Sequence, residues 1–406
     1  MWCVILSAVF ANAQTKTLDY YIDAGMVSSP LLKDYANQVR LNHIDSARLA
    51  AAYKPQVNGV STNSWAPVIN GYGYDGVITN YGNFSELVAA SQQLVGKANL
   101  QNQFNGIILQ SDSVRALAKI SIKDLQRSIT SQYITAYGSW LQYQFNNEVY
   151  NLLSKEDTLL KKLTQSAVYR QTDYLTFLVT LQQQKLAVLQ ARNQYKNDYA
   201  GLNYVSGLFD TAFTPLEAPA IDLYEMMDAG NTVFYEKYRV DSLLLKNADA
   251  QIDFNYKPKV SLYADGGYVS SFTYQAYKNF GTSIGVNLSV PIYDGKQRKM
   301  QHTKVAIAEQ TRQGYRDFFK TQYSQQIAQL TQQLNATQEL INETTGQLKY
   351  VESLIDANGK LLTTGDVHIA DYIIAINNYL NAKNIIRQNT INKLQIITQI
   401  NYWIKQ

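Results

Sequence analysis

The sequence predicts a mostly α protein with a small β part, built from long helices that pack as coiled-coil hairpins around a cylinder, plus four strands. Three observations point there. Residues 280–292 alternate without a break, placing Phe280, Thr282, Ile284, Val286, Leu288, Val290 and Ile292 on one face and Gly281, Ser283, Gly285, Asn287, Ser289 and Pro291 on the other. Just beyond Lys296 the period changes to that of a helix. Ile327, Leu330, Leu334, Thr337, Ile341, Thr344, Leu348, Val351 and Ile355 then step by alternating threes and fours, the spacing of a coiled-coil seam. Finally, the first half of the chain carries the same parts in the same order.

In chain order, Met1 to Ala13 reads as a secretory signal, an apolar run closing in Ala11-x-Ala13 before Gln14. Its basic n-region is missing, which leaves room for a start upstream of Met1. With the signal removed, no cysteine remains, which excludes disulfides and thiolate chemistry. Residues 18–52 read as helix, with Pro30 interrupting it or opening its main part. Strands are expected at 55–66 and 84–95, although Ala89-Ala90-Ser91-Gln92-Gln93 alternates poorly.

A long helix follows over 97–165, on which Ile129, Tyr133, Ala136, Trp140, Tyr143, Asn147 and Tyr150 keep the seam rhythm. At 1.5 Å per residue it should be roughly 100 Å long. A polar break at 166–172 precedes a helix over 173–205, and 207–219 is a linker containing Pro215 and Pro219. Then the order repeats: helix 221–254, two strands within 260–292, a long helix to about Leu362, a turn at 363–366, and a last helix to Trp403. All seven prolines fall outside the long helices.

Three local matches mark a duplication. Tyr53-Lys-Pro-Gln-Val57 resembles Tyr256-Lys-Pro-Lys-Val260, Gly96-Lys97 resembles Gly295-Lys296, and Asp173-Tyr-Leu175 resembles Asp371-Tyr-Ile373. The separations of 203, 199 and 198 hold nearly one period. The chain is therefore divided into the signal at 1–13, a first structural repeat at 14–207 and a second at 208–406.

Composition narrows the function. Charged residues make up 17%, and the net charge of +4 is not gathered into a stripe, so nothing favours nucleic acid. No run of 18 apolar residues exists, so a membrane could be crossed only by a closed barrel. Gly71-Tyr-Gly-Tyr-Asp-Gly76 fits a dinucleotide-binding pattern, but with no helix expected after it and no βαβ unit it reads as a loop. His43, His302 and His368 are scattered over predicted helices without ligand spacing, so no metal is expected. Glu156-Asp157 reads as a solvated helix face. No catalytic residue, cofactor or metal is assigned, and an enzyme is not expected.

The residues Gly281-Thr-Ser-Ile-Gly-Val-Asn-Leu-Ser-Val-Pro-Ile-Tyr-Asp-Gly295 resemble the strand ending in Pro-aromatic-Asp-Gly of the TolC-like outer-membrane efflux proteins. Gly365-Asp-Val-His-Ile-Ala-Asp371, with Asn381-Ala382 on the following helix, is similar to that family's turn at the periplasmic tip. The resemblance implies that each protomer gives four strands to a twelve-stranded transmembrane barrel closed by a homotrimer. It implies an outer-membrane location reaching into the periplasm, and contact with outer-membrane lipid. It also implies a passive exit duct for small molecules, docked through a periplasmic adaptor protein to an inner-membrane pump.

A type I protein secretion conduit has the same architecture; a periplasmic coiled-coil scaffold or adhesin is the alternative of another class. By the resemblance, Asp371 belongs to an acidic ring at the periplasmic entrance, although the second acidic position is Ile374 here. Capping of the last helix is the other reading of Asp371. Asp173 could hold neighbouring coils through hydrogen bonds involving Arg170, or cap its own helix. Gly365 is a turn residue with positive φ.

Overall fold

The computed structural model describes residues 16–210 and 214–404, so the signal at 1–13 lies outside the described residues. The described residues are 71% helical, with one small antiparallel sheet. Helix α1 spans Leu18–Ser28, opened by Thr17, whose hydroxyl accepts from Tyr20 N. Helix α2, Pro30–Ala52, begins on Pro30, where the missing N–H costs nothing. Strand β1 (Gln56–Trp65), a single helical turn α3 (Gly76–Thr79) and β2 (Gly82–Leu94) lead into α4, Lys97–Gln165, 69 residues without a break. Helix α5 is Gln171–Val205 and α6 is Val233–Asn255. Strands β3 (Lys259–Ser270) and β4 (Phe280–Ser289) precede α7 (Gln297–Thr364) and α8 (Ile369–Ile404).

Four expectations need correction. The helix expected from 221 starts only at Val233. Before it, the chain past Pro219 has only a 3-10 turn at Ala229–Asn231, and Asn401 of α8 takes over backbone groups of the irregular part. The Asn401 amide donates to Asp222 O at 2.7 Å and its carbonyl accepts from Tyr224 N at 3.1 Å. β4 ends at Ser289, three residues early, because Pro291 offers no N–H for a ladder. A helical turn does follow Gly71–Gly76, capped by the Asp75 carboxylate on Val77 N at 2.9 Å, but no βαβ unit contains it. His368 lies in the turn before α8 and not on a helix.

The chain divides into two compact units. One comprises the residues up to Lys33, Ala118–Val233 and those from Phe319 onward. Its interior is helix on helix. Tyr323, Leu330, Thr337, Thr344 and Val351 are buried at strict seven-residue intervals on α7, the mark of a supercoiled seam. Leu330 and Tyr323 pack with Ile400 and Ile404 of α8. A second cluster gathers Tyr21, Ile129, Tyr133, Tyr195, Tyr199 and Leu202.

Three tyrosine hydroxyls of that second cluster, those of Tyr133, Tyr195 and Tyr199, are spent on the irregular chain. Tyr133 donates to Glu217 O at 2.9 Å and to Lys16 O at 3.2 Å; Tyr195 donates to Thr214 O, and Tyr199 bonds the Thr214 hydroxyl. These bonds fasten residues 16 and 214–217 to the helices, where Lys16 and Leu216 form a parallel bridge.

The other unit comprises Asp34–Leu117 and Phe234–Phe318 and holds the sheet, in the order β1-β2-β3-β4 with every pair antiparallel. Registers such as Val57↔Ala90, Ala90↔Ala264 and Ala264↔Ile284 put these four residues on one face. The same face carries Val88, Leu94, Leu262, Val286 and Leu288. Ile284 is 86% exposed, and Val57, Val88, Val286 and Leu288 are exposed too. The opposite face is richer in small and polar residues, Val60, Leu87, Tyr263 and Val269 apart, with Ser283 donating to Asp265 at 2.6 Å and the Tyr263 ring lying over Gly285. The poor alternation of β2 is thus real, yet its ladder to both neighbours is complete. Strands β1 and β4 are edges, and every residue of β1 is exposed.

Candidate functional site

The residues singled out at 170, 173, 365 and 371 all belong to the helical unit, at the turns joining α4 to α5 and α7 to α8. Helix α4 closes in a left-handed residue, Ala167 (φ 59°), with Val168 N on Leu163 O at 3.0 Å and Ala167 N on Thr164 O at 3.1 Å. That is the double bond pattern of a Schellman end. Helix α7 closes on Gly365 (φ 83°), with Asp366 N on Leu361 O at 3.1 Å. The positive φ read from the sequence at Gly365 is present. A Cβ there would also sit 2.7 Å from Val168 Cγ1, so the two turns touch.

Neither aspartate is an N-cap. Arg170 occupies that position for α5, without a side-chain cap, and its carbonyl accepts from Asp173 N at 3.1 Å. The His368 carbonyl accepts from Asp371 N at 3.0 Å in the same manner. Asp173 and Asp371 are each the third residue of their helix, where the dipole favours a negative charge. Asp371 is exposed and Asp173 partly so. Arg170 and Asp173 meet through backbone only; among the described residues no ion pair joins their side chains.

What ties the two turns together is a residue the sequence reading passed over. Tyr169 is buried, and its hydroxyl donates toward Leu362 O at 2.9 Å and Val367 O at 3.0 Å. The first is an orphan carbonyl at the end of α7, the second lies in the α7–α8 turn. The ring belongs to the buried cluster that also holds Leu160, Leu362 and Tyr372. A lone aromatic inside an otherwise polar interhelical break was the available signal. Burial raises its phenol pKa, with the charge of Asp366 adding to the effect.

Glu156 departs from the solvated face expected of it. It is partly buried, and desolvation raises its pKa. Tyr372 is pushed up to about 12 by burial and by the charge of Glu156. Its neighbour Asp157 accepts from the Tyr174 hydroxyl at 3.0 Å. No nucleophile stands beside a base here. Among the described residues no group of three or more His, Cys, Asp or Glu is placed to hold a metal ion. The turns offer exposed carboxylates on a packed base, suited to electrostatics and movement more than to bond making.

Two measurements check this account. Tyr169→Phe leaves two carbonyls short of a donor and should cost about 1–3 kcal/mol, read as a lower unfolding midpoint and faster proteolysis at residues 363–368. Wild-type behaviour in both assays would show that the bridge is dispensable. Glu156→Gln addresses the raised carboxyl. The folded protein holds that proton more tightly than the unfolded chain, so stability falls as pH rises from the ordinary glutamate range through the raised value. The amide should therefore raise the thermal midpoint at pH 7–8 and leave it unchanged near pH 4; equal midpoints at both would remove the desolvation argument.

No family model matches the chain, and no curated protein does. Solved structures do. The chain superposes on CusC, described by its conformational changes in folding and transmembrane channel formation, with a TM-score of 0.80 at 11% identity, over 98% of this chain and 96% of that one. It superposes on the outer membrane protein VceC of Vibrio cholerae with a TM-score of 0.74 at 14% identity, covering 95% of each. For the open state of the Neisseria gonorrhoeae MtrE outer membrane channel the score is 0.75 at 11% identity, over 95% and 88%. At such identities the likeness establishes the fold, and that fold is the one of the outer-membrane channel proteins.

Proposed function

We propose that the chain is a protomer of a trimeric outer-membrane channel, a passive exit duct through which small molecules leave. The carrying observation is the sheet. One face is apolar and unburied, and both edges are unpaired within one copy. Leaving Ile284, Val286 and Leu288 in water forgoes about 1.5–3 kcal/mol each relative to burial. An exposed edge presents a row of N–H and C=O groups that pairs with any available strand. Lipid against the apolar face and copies against the edges remove both problems, and a spanning barrel must close. Strands of 10, 13, 12 and 10 residues suffice to cross a bilayer. Three copies give twelve strands, with the polar face of Gly, Ser and Asn toward water.

In this reading the two halves, 14–207 and 208–406, are copies of one ancestral unit, the segment 1–13 is a signal, and the location is the outer membrane with a periplasmic extension. The partners are a periplasmic adaptor and an inner-membrane pump that supplies the energy. The turns at Ala167 and Gly365 form the periplasmic entrance, where Asp371, Asp173, Arg170 and Gly365 act together. Opening is a shift in helix packing at that end.

Native mass spectrometry in detergent tests the assembly. A trimer is expected; a stable monomer, or a protein soluble without detergent as a scaffold would be, ends the proposal. Asp371→Ala should then weaken cation block or alter conductance in planar bilayers, since three carboxylates would face one aperture. Unchanged currents would remove the acidic ring and leave the channel standing.

A further inference from the structure

The strand registers bring four chain crossings together at one end of the sheet. Gln56 pairs with Ser91, Leu94 with Val260, and Lys259 with Ser289, so β1 and β3 begin where β2 and β4 end. The segments 53–57, 94–98, 253–260 and 290–299 are therefore neighbours around one rim. They hold seven of the chain's cations and only two carboxylates, Asp253 and Asp294. The two loops at the opposite end, 66–81 and 271–279, hold one of each, Asp75 and Lys278.

Both carboxylates of the rim are already engaged. Asp253 binds Arg298 at 2.6 Å and His302 at 3.0 Å. Asp294 accepts from Lys296 N at 2.8 Å and Arg298 N at 2.7 Å, capping the start of α7. Lys54, Lys97, Lys257, Lys259, Lys296 and Lys299 are all exposed, and none forms an ion pair among the described residues. The Lys257 ammonium lies 4.5 Å over the centroid of the Phe254 ring, a cation–π contact. Between them Ile292 is 94% and Tyr293 84% exposed, a pairing of apolar and amphipathic side chains suited to a bilayer boundary. The apolar sheet face runs to this rim through Val57, Leu94, Val260 and Leu288.

We propose that this lysine rim is a binding collar for anionic phospholipid headgroups in the leaflet next to the helices. The inference rests on the membrane insertion proposed above. Six ammonium groups with no internal counter-charge, set where an apolar wall ends, match a layer of phosphodiester anions above acyl chains. The opposite rim, aromatic and nearly uncharged, has no such match. Position of the protein in the bilayer is then fixed by charge on one side and by aromatic rings on the other.

The test compares wild type with a variant carrying Gln at all six lysines and a second carrying Arg at all six. Each full chain is reconstituted into phosphatidylcholine vesicles and into vesicles with added phosphatidylglycerol, and co-purifying lipid is measured. Wild type and the Arg variant should enrich phosphatidylglycerol on the order of thirtyfold, what about two lysines near a charged surface supply. The enrichment should collapse in 1 M salt, where the screening length falls to about 3 Å. The Gln variant should insert equally well into phosphatidylcholine and enrich nothing.

Insertion by wild type without lipid discrimination, or undiminished enrichment by the Gln variant, overturns the collar and leaves the channel. Retention of soluble poly-glutamate without lipid preference overturns it in favour of an acidic protein partner. Failure to insert into vesicles of either kind removes the membrane reading, and the collar with it.

Discussion

A backbone that has paired three ladders still has two free sides. That constraint shapes everything the sheet unit does. Within one copy the outer N–H and C=O groups of β1 and β4 have no strand to meet, and an apolar face of Val, Leu and Ile has nothing to rest on. A soluble sheet would be covered by a helix or would carry charges along its edges. Here β1 is Gln56–Trp65, without a single charged side chain, and β4 likewise lacks one. Such edges are unprotected against association, as the assembly proposed above requires. Glu86, on the face that carries Val57, Val88 and Ile284, is held by Ser61 at 2.8 Å and Asn63 at 2.7 Å on the same face, so even that charge is answered within the sheet.

The helical unit solves the opposite problem. It has interior to spare: buried positions recur every seven residues along α7, and tyrosines fill the clusters where α4 and α5 pack. Tyrosine brings a large apolar ring and one hydroxyl that must be satisfied when buried. Tyr133, Tyr195 and Tyr199 satisfy theirs on the irregular segments at Lys16 and Thr214–Glu217, so the cluster that packs the helices also pins the connecting chain.

Much of this was written in the pattern. A 69-residue helix free of proline and a 68-residue helix with a seam at threes and fours are the features that periodicity reads best, and α4 and α7 end within two residues of expectation. The strands were legible where one face is uniformly apolar, as in β4, and blurred where Ala and Gln stand at apolar-face positions, as in β2. The segment before Val233 was misread because its partner, Asn401, is nearly two hundred residues away; no local pattern encodes a side chain that supplies hydrogen bonds from afar. The turns were located, and Asp371 was assigned to an entrance ring through the family resemblance, with helix capping as the other reading of both aspartates. The caps turned out to be backbone carbonyls of Arg170 and His368, and the binding element a phenol, Tyr169, whose role depends on which turn lies opposite.

That phenol has a consequence for how the two hairpins could come apart. A single donor shared between Leu362 O and Val367 O cannot be surrendered by degrees: either the ring stays seated and both acceptors are served, or it leaves and both are stranded. Separation would therefore proceed as a snap between discrete arrangements, with the ring's withdrawal from its apolar socket as the toll, and not as a gradual splaying of one helix from the next.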